Sequence, residues 1–193
     1  MPISRPDPSL ILASSSPRRA ELLRAAGIPF QVDAAEIEED PLPGEAPDAY
    51  VLRVARDKAD AVACRKSGSA VLAADTAVVV EGHILGKPAD AGHARVMLEA
   101  LSGRVHDVLT GVALRVGARE LTAVDTTRVR FLPISAGEID WYIASGEPQG
   151  KAGGYAVQGL ASRFIDRLEG SYSNVVGLPI ATVYRLLRQA QLL

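Results

Sequence analysis

Apolar and polar positions along the chain alternate between two periods, one suited to strands and one to helices. Leu10–Ala13 is a short apolar run that predicts a strand, and Pro17–Ala26, stopped by Gly27, predicts a helix. Phe30–Ala34 follows as a second strand. Pro41–Pro47 is crowded with turn formers and predicts a loop, after which Asp48 is expected to cap a helix reaching about Lys66. On that helix Val51, Val54, Ala55, Lys58 and Val62 share one face, while Arg53, Arg56, Asp57 and Asp60 take the other. Ala70–Val80 shows almost no alternation, the pattern of a strand covered on both faces. Glu81-Gly82 turns it back into a strand at Ile84–Gly86. Asp90–Leu101 and Ser135–Ser145 predict further helices, and Arg104–Val116 pairs with Glu120–Phe131 as a hairpin across Gly117-Ala118. Residues 146–179 are glycine-rich and lack a clear period, which points to a functional segment, and Pro179–Ala190 is a final helix. This alternation of strands and helices predicts an α/β fold.

Composition narrows the class without naming it. With 193 residues, 48% hydrophobic and 23% charged, the chain is long enough for one domain with a sizeable core, and a formal net charge of -2 argues against a general nucleic-acid binder. No apolar stretch approaches the roughly 20 residues of a membrane helix, and the opening Met-Pro-Ile-Ser-Arg-Pro-Asp-Pro lacks the apolar centre of a signal peptide. A cytoplasmic location is therefore expected, with neither membrane nor nucleic acid as partner. The one cysteine, Cys64, lies among Ala61, Val62 and Ala63 and reads as a buried structural thiol. The histidines at 83, 93 and 106 have no metal-ligand spacing, so zinc is not expected.

The candidate chemistry lies in three places. Ser14, Ser15 and Ser16 precede a helix that opens on Pro17 and carries Arg18 and Arg19 in its first turn. Cations there oppose the helix dipole by roughly 0.3–1 kcal/mol each, so the placement makes sense if an anion receives hydroxyls, N–H groups and guanidiniums together. Asp75 sits within Val71–Val80, where an ionised carboxylate needs a cation, a metal or several donors. Lys87 would face it if the hairpin were centred on Gly82, and Lys58 is the cation on the apolar helix face. The acidic run Glu36, Glu38, Glu39, Asp40 offers oxygen ligands for a hard divalent cation. Blander readings fit each part alone: arginines in solvent, a structural ion pair, a snorkelling lysine. Taken together, the set suits hydrolysis of a phosphoanhydride, with Asp75 activating water. A P-loop is excluded, since no G-x-x-x-x-G-K-[ST] occurs.

Several ordered motifs then carry a resemblance over about Leu10 to Leu187. They are Leu-Ala-Ser-Ser-Ser-Pro-Arg-Arg at 12–19, Ala-Asp-Thr at 74–76, Gly-Lys-Pro at 86–88, Leu-Ser-Gly at 101–103, Val-Leu-Thr-Gly at 108–111 and Gly-Ser-Tyr-Ser-Asn-Val-Val-Gly-Leu-Pro at 170–179. The chain resembles the Maf family of nucleoside triphosphate pyrophosphatases. The resemblance implies an elongated mixed central sheet flanked by helices, a single domain over residues 1–193 with two lobes and a cleft between them, and commonly a homodimer. It also implies release of diphosphate from a nucleoside triphosphate with a divalent cation such as Mg²⁺, Mn²⁺ or Co²⁺. By the same resemblance Ser14, Ser16, Arg18, Arg19, Lys58 and Lys87 would bind phosphates, Glu39 would hold metal or water, and Asp75 would be the general base and a metal ligand. Residues 153–159, Gly-Gly-Tyr-Ala-Val-Gln-Gly, resemble the branch acting on dTTP and UTP, in which Arg18, Thr76 and Gln158 would set substrate choice. A Gln amide matches the donor–acceptor edge of uracil, and Tyr155 is the planar aromatic beside it. The same chemistry on 7-methyl-GTP or a non-canonical purine triphosphate, or a nucleotide-responsive regulator of septum formation, are the alternatives.

Overall fold

The computed structural model describes residues 10–193, so the N-terminal stretch read above as lacking a leader lies outside the described residues. Seven strands make one mixed sheet: β1 (Leu10–Leu12), β2 (Gln31–Val32), β3 (Ala70–Val80), β4 (His83–Leu85), β5 (Val105–Val116), β6 (Arg119–Phe131) and β7 (Ile165–Glu169). Their order is β2-β1-β3-β5-β6-β7, with β4 paired to the far half of β3. β1 runs parallel to β2 and β3, and every other pairing is antiparallel. Among the described residues six α-helices flank the sheet: α1 (Pro17–Ala25), α2 (Pro47–Ala63), α3 (Ala91–Leu101), α4 (Ala136–Ala144), α5 (Tyr172–Val176) and α6 (Ile180–Gln189). The mixed sheet expected from the sequence is present. No helix among the described residues is long and apolar enough to cross a membrane.

The two faces of β3 explain where a site can form. Its odd residues Val71, Ala73, Ala77 and Val79 are buried with α2 residues Val51, Ala55, Ala59 and Val62. Its even residues split between two clusters. Ala70, Leu72 and Ala74 pack with Leu23 of α1 and Val183 and Leu187 of α6, whereas Val78 and Val80 pack with α3 and α4. Thr76 falls between them. Along the strand's edge, β1 pairs with residues 70–72 and β4 with 78–80, so 74–77 have no strand beside them on that side. The sheet is notched at Asp75 and Thr76. Each buried Val or Leu on either side of the notch contributes about 1.5–3 kcal/mol, enough together to outweigh the several kcal/mol that burying one carboxylate costs.

Gly111 lets α2 reach that notch. It stands opposite Asp75 in β5, and a Cβ there would lie 2.3 Å from the Val51 carbonyl oxygen of α2. Only glycine allows this approach, which brings Lys58, two turns further along α2, over Asp75.

The structure corrects several expectations. α2 starts on Pro47, whose fixed φ and missing N–H suit the first helical position, so Ala46 is the N-cap and Asp48 lies inside the first turn. Because that helix ends at Ala63, Cys64 is its C-cap and is exposed rather than buried. The second strand is only Gln31–Val32, since β1 offers three residues to pair with. The segment 146–179 is structured: it holds two 3-10 turns (Ala152–Gly154 and Leu160–Phe164), β7 and α5. An edge strand and a helix of five residues are too short to impose a period on the sequence.

Candidate functional site

Ser14, Ser16, Arg18, Arg19, Glu39, Lys58, Asp75, Thr76, Lys87 and Gln158 line one cleft of about 670 Å³ at the notch in the sheet, whereas Glu36 and Glu38 of the acidic run do not. That volume suits a small organic ligand. Its walls carry Arg18, Arg19, Lys58, Lys87 and Lys151 against three carboxylates, Glu39, Asp40 and Asp75. A cationic cleft in a chain whose net charge is -2 is built for an anion.

At the floor, Lys58 Nζ donates to Asp75 Oδ1 at 2.8 Å and lies 2.8 Å from Glu39 Oε1. Lys58 and Asp75 are each 5% exposed. Asp75 Oδ2 has no hydrogen-bond partner among the described residues. Lys87, expected opposite residue 77 on the face of Asp75, instead donates to Glu39 Oε2 at 3.1 Å. The reason is register: Val80 pairs with His83 across a two-residue turn in which Glu81 and Gly82 both have positive φ, so the hairpin is centred between residues 81 and 82 rather than on Gly82. Half-burial pushes the Glu39 carboxyl up, but hydrogen bonds from Lys58 and then Lys87 outweigh it and hold the group below its ordinary value. The Tyr50 hydroxyl of α2 donates to the Glu39 carbonyl at 2.7 Å, pinning the acidic run to the helix. No group of three or more His, Cys, Asp or Glu side chains converges among the described residues. The donor set nonetheless fits Mg²⁺, which takes one or two carboxylates and completes its shell with phosphate oxygens and water.

The wall above is the start of α1. Ser16 occupies the N-cap but makes no side-chain cap, and its own N–H donates to Ser14 Oγ at 3.2 Å. The first N–H groups of the helix are thus left for a ligand. Arg18 and Arg19, adjacent in sequence, differ in state. Arg19 is already engaged: it donates to the Gly177 carbonyl at 2.8 Å, Ser14 Oγ at 3.1 Å and Thr76 Oγ1 at 3.2 Å. Burial pulls its guanidinium below the ordinary value, against the opposing pull of Asp75 and Glu39. Arg18 has no hydrogen-bond or ion-pair partner among the described residues, so only one of the two arginines is uncommitted.

The long glycine-to-proline motif at 170–179 supports Arg19 from behind. Ser171 caps α5, Asn174 donates to the Val108 carbonyl at 2.9 Å and to Thr127 Oγ1 at 3.0 Å, and Ser173 Oγ accepts from Ile180 N. These bonds fasten α5 to the sheet and deliver the Gly177 carbonyl to Arg19. Thr76 lies 3.0 Å from Thr110 Oγ1, which donates to the Asn174 carbonyl, so Thr76 orients Arg19 within one network.

On the opposite wall Gln158 is exposed and faces the cleft. Tyr155, the planar aromatic read beside it, touches the cleft but is mostly core: it is 6% exposed, packs edge-on against Phe131 and His106, and its hydroxyl lies 2.8 Å from His106 Nε2. Burial lowers His106 to about 4. The fold keeps this imidazole neutral, while the unfolded chain takes up a proton near pH 6.5. The stability it confers is whole above pH 6.5, declines as pH falls toward 4, and amounts to about 3 kcal/mol. Urea unfolding of His106→Gln should accordingly depend less on pH between 4 and 6.5 than the wild type; parallel curves would show that His106 protonates in the fold.

Sequence reasoning missed Lys151. It lines the cleft on the Gln158 side, and its ammonium is held by the Glu147 carbonyl. Burial first, then the Arg18 guanidinium, pull it below its ordinary value. A lysine between Gly150 and Ala152 in an aperiodic segment carries no signal except its charge among glycines.

A family model described as Maf-like protein matches residues 9–190. A protein of Anaeromyxobacter sp. (strain Fw109-5) named dTTP/UTP pyrophosphatase is 55% identical over 186 residues, covering 94% of this chain and 89% of its own. One of the same name from Myxococcus xanthus (strain DK1622) is 55% identical over 183 residues, covering 95% and 93%. The structure of the Staphylococcus aureus Ham1 protein aligns with 63% of this chain and 71% of its own at 14% identity and a TM-score of 0.46.

Proposed function

The chain belongs to the Maf family, and on that premise we propose that it hydrolyses dTTP and UTP to the monophosphate and diphosphate, cutting the phosphoanhydride between the α and β phosphates. The observation that carries this reading is a buried carboxylate, Asp75, held through one oxygen by Lys58 at the floor of a cationic cleft, with its other oxygen unpartnered among the described residues. The open N-terminus of α1, the Ser14 and Ser16 hydroxyls and Arg18 take the phosphates, while Arg19 and Thr76 brace that wall. Lys58 and Lys87 face charge developing on the leaving diphosphate. Asp75 accepts a proton as water oxygen bonds to the α phosphorus and the bridging P–O bond breaks toward the β phosphate. Glu39 and Asp75 would hold a divalent cation, Mg²⁺, Mn²⁺ or Co²⁺, which when bound neutralises phosphate charge. We further place the protein in the cytoplasm, as a homodimer, and as one domain whose two even-face clusters form lobes about the cleft, in line with the family resemblance.

Base choice falls to the Gln158 wall, because the triphosphate grip is common to every nucleotide. A base that leaves a buried hydrogen-bonding group unpaired costs about 1–3 kcal/mol. Diphosphate release measured over UTP, dTTP, CTP, GTP and 7-methyl-GTP should favour UTP and dTTP. Gln158→Leu should lower turnover of those two most. Equal rates on GTP or 7-methyl-GTP would overturn the base assignment, and no diphosphate from any of them would overturn the activity.

The different states of the two arginines make a second test. Arg18→Ala should weaken triphosphate binding without lowering Tm, since the free helix loses an unfavourable charge. Arg19→Ala should lower both, by on the order of 3 kcal/mol in stability, because it strips three acceptors at once. Equal Tm losses in the two variants would contradict this division.

A further inference from the structure

Glu147 is absorbed by none of the chemistry above, yet its carboxylate is bonded to the backbone just beyond Gln158. It lies just beyond α4, and its carboxylate reaches across to the 3-10 turn Leu160–Phe164, accepting from Leu160 N at 2.8 Å and Ala161 N at 3.3 Å. These are the first two N–H groups of that turn, which lacks a side-chain cap of its own. The buried Tyr142 hydroxyl of α4 donates to the same carboxylate at 3.0 Å. A charged cap supplied from a distant segment therefore fixes the start of the turn. Gln158 stands two residues before Leu160.

Gly159, between them, shows how tightly the carboxylate is seated. Its φ of -103 is open to any residue, so backbone conformation does not require glycine. Space does: a Cβ at 159 would lie 2.4 Å from Glu147 Oε1 and 2.6 Å from Oε2. Any side chain there would push the end of the Glu147 side chain away from its present seat against the turn. The Glu147 backbone carbonyl meanwhile accepts from Lys151, the cation of the same wall.

We propose that Glu147 is a positioning residue for base recognition: seated against Gly159, its carboxylate clamps the loop that presents Gln158 to the pyrimidine base. This rests on the dTTP/UTP reading of the cleft. Glu147 touches no substrate itself; it acts by limiting where the Gln158 amide can lie. Loss of the clamp should relax discrimination between bases while leaving the phosphate grip in place, because that grip is built on α1, α2 and β3.

The test compares Glu147→Ala, Glu147→Gln, Gly159→Ala and the double variant Glu147→Ala/Gly159→Ala, reading kcat/KM for UTP over GTP, Tm, and amide hydrogen exchange at Leu160 and Ala161. Glu147→Ala should lower the UTP over GTP ratio roughly tenfold, through KM for UTP, with faster exchange at both amides. Glu147→Gln, which retains an acceptor oxygen, should keep most of the ratio. Gly159→Ala should reproduce Glu147→Ala, and the double variant should be no worse than either, since both changes remove one clamp. A lowered Tm with the ratio unchanged would make Glu147 merely structural and overturn the proposal, as would independent, additive losses in the double variant. Absence of UTP turnover in the wild type is a separate result that strikes the activity itself; in that event unchanged exchange at Leu160 and Ala161 in Glu147→Ala would still overturn the clamp.

Discussion

Asp75→Asn should abolish diphosphate release from UTP, lowering kcat by roughly 10²–10⁴, while UTP still binds. The amide keeps the shape of the carboxylate and can still accept from Lys58 Nζ through one oxygen, as Asp75 Oδ1 does at 2.8 Å. What it cannot do is take a proton from water. The substituted residue remains held by the pairing of β3 with β5, and Lys58 keeps Glu39 as a charged partner at 2.8 Å, so the fold is retained. Calorimetric binding of UTP together with a diphosphate assay separates the two effects. Near wild-type turnover would remove Asp75 from proton transfer; loss of binding and turnover together would give it a role in the grip.

The second large effect concerns stability. Lys58→Met keeps the apolar stem that lies along the face of α2 but removes the ammonium shared by Asp75 and Glu39. Breaking a buried pair by deleting one partner costs about 3–5 kcal/mol, because the remaining charge stays buried without compensation. Glu39, 36% exposed at its side chain, can turn to water and to Lys87; Asp75, 7% exposed, has far less room to do so. The cost should therefore follow Asp75. Adding Asp75→Asn to Lys58→Met should restore much of the lost stability, and urea unfolding of the four proteins in the cycle measures this coupling. If the double variant is as unstable as the sum of the single ones, the lysine is held by packing rather than by charge.

Both predictions start from features that could be read before the fold was known. Asp75 stood out because a carboxylate inside an apolar run must have a partner, and Lys58 because a lysine on an apolar helix face must have a reason. Their meeting was not readable. It depends on α2 lying close to β5, which Gly111 permits, and on Asp75 and α2 sharing the odd face of β3. The sequence instead suggested Lys87 as the neighbour of Asp75. A shift of half a residue in the centre of the hairpin sends side chains to opposite faces, and a sequence of two turn residues does not settle that centre.

Elements long enough to repeat their period were legible: α2, β3, the β5–β6 hairpin and α4. So was the start of the first helix, a proline followed by two arginines, a placement that is unfavourable without an anion. β7 and α5 were not: Ile-Asp-Arg-Leu-Glu does not alternate apolar with polar, and the five residues of α5 are under two helical turns. Arg18 and Arg19 show the same limit at the scale of single residues. In sequence they are equivalent neighbours; in the fold the 100° step between consecutive helical positions turns Arg19 onto Ser14, Thr76 and Gly177 and leaves Arg18 to the cleft. Residue chemistry and local period are properties of the chain, and they marked every charged group that lines the cleft except Lys151. Which group meets which partner is set by register, helix approach and burial, quantities that exist only once distant segments pack, and the tertiary structure alone decided them.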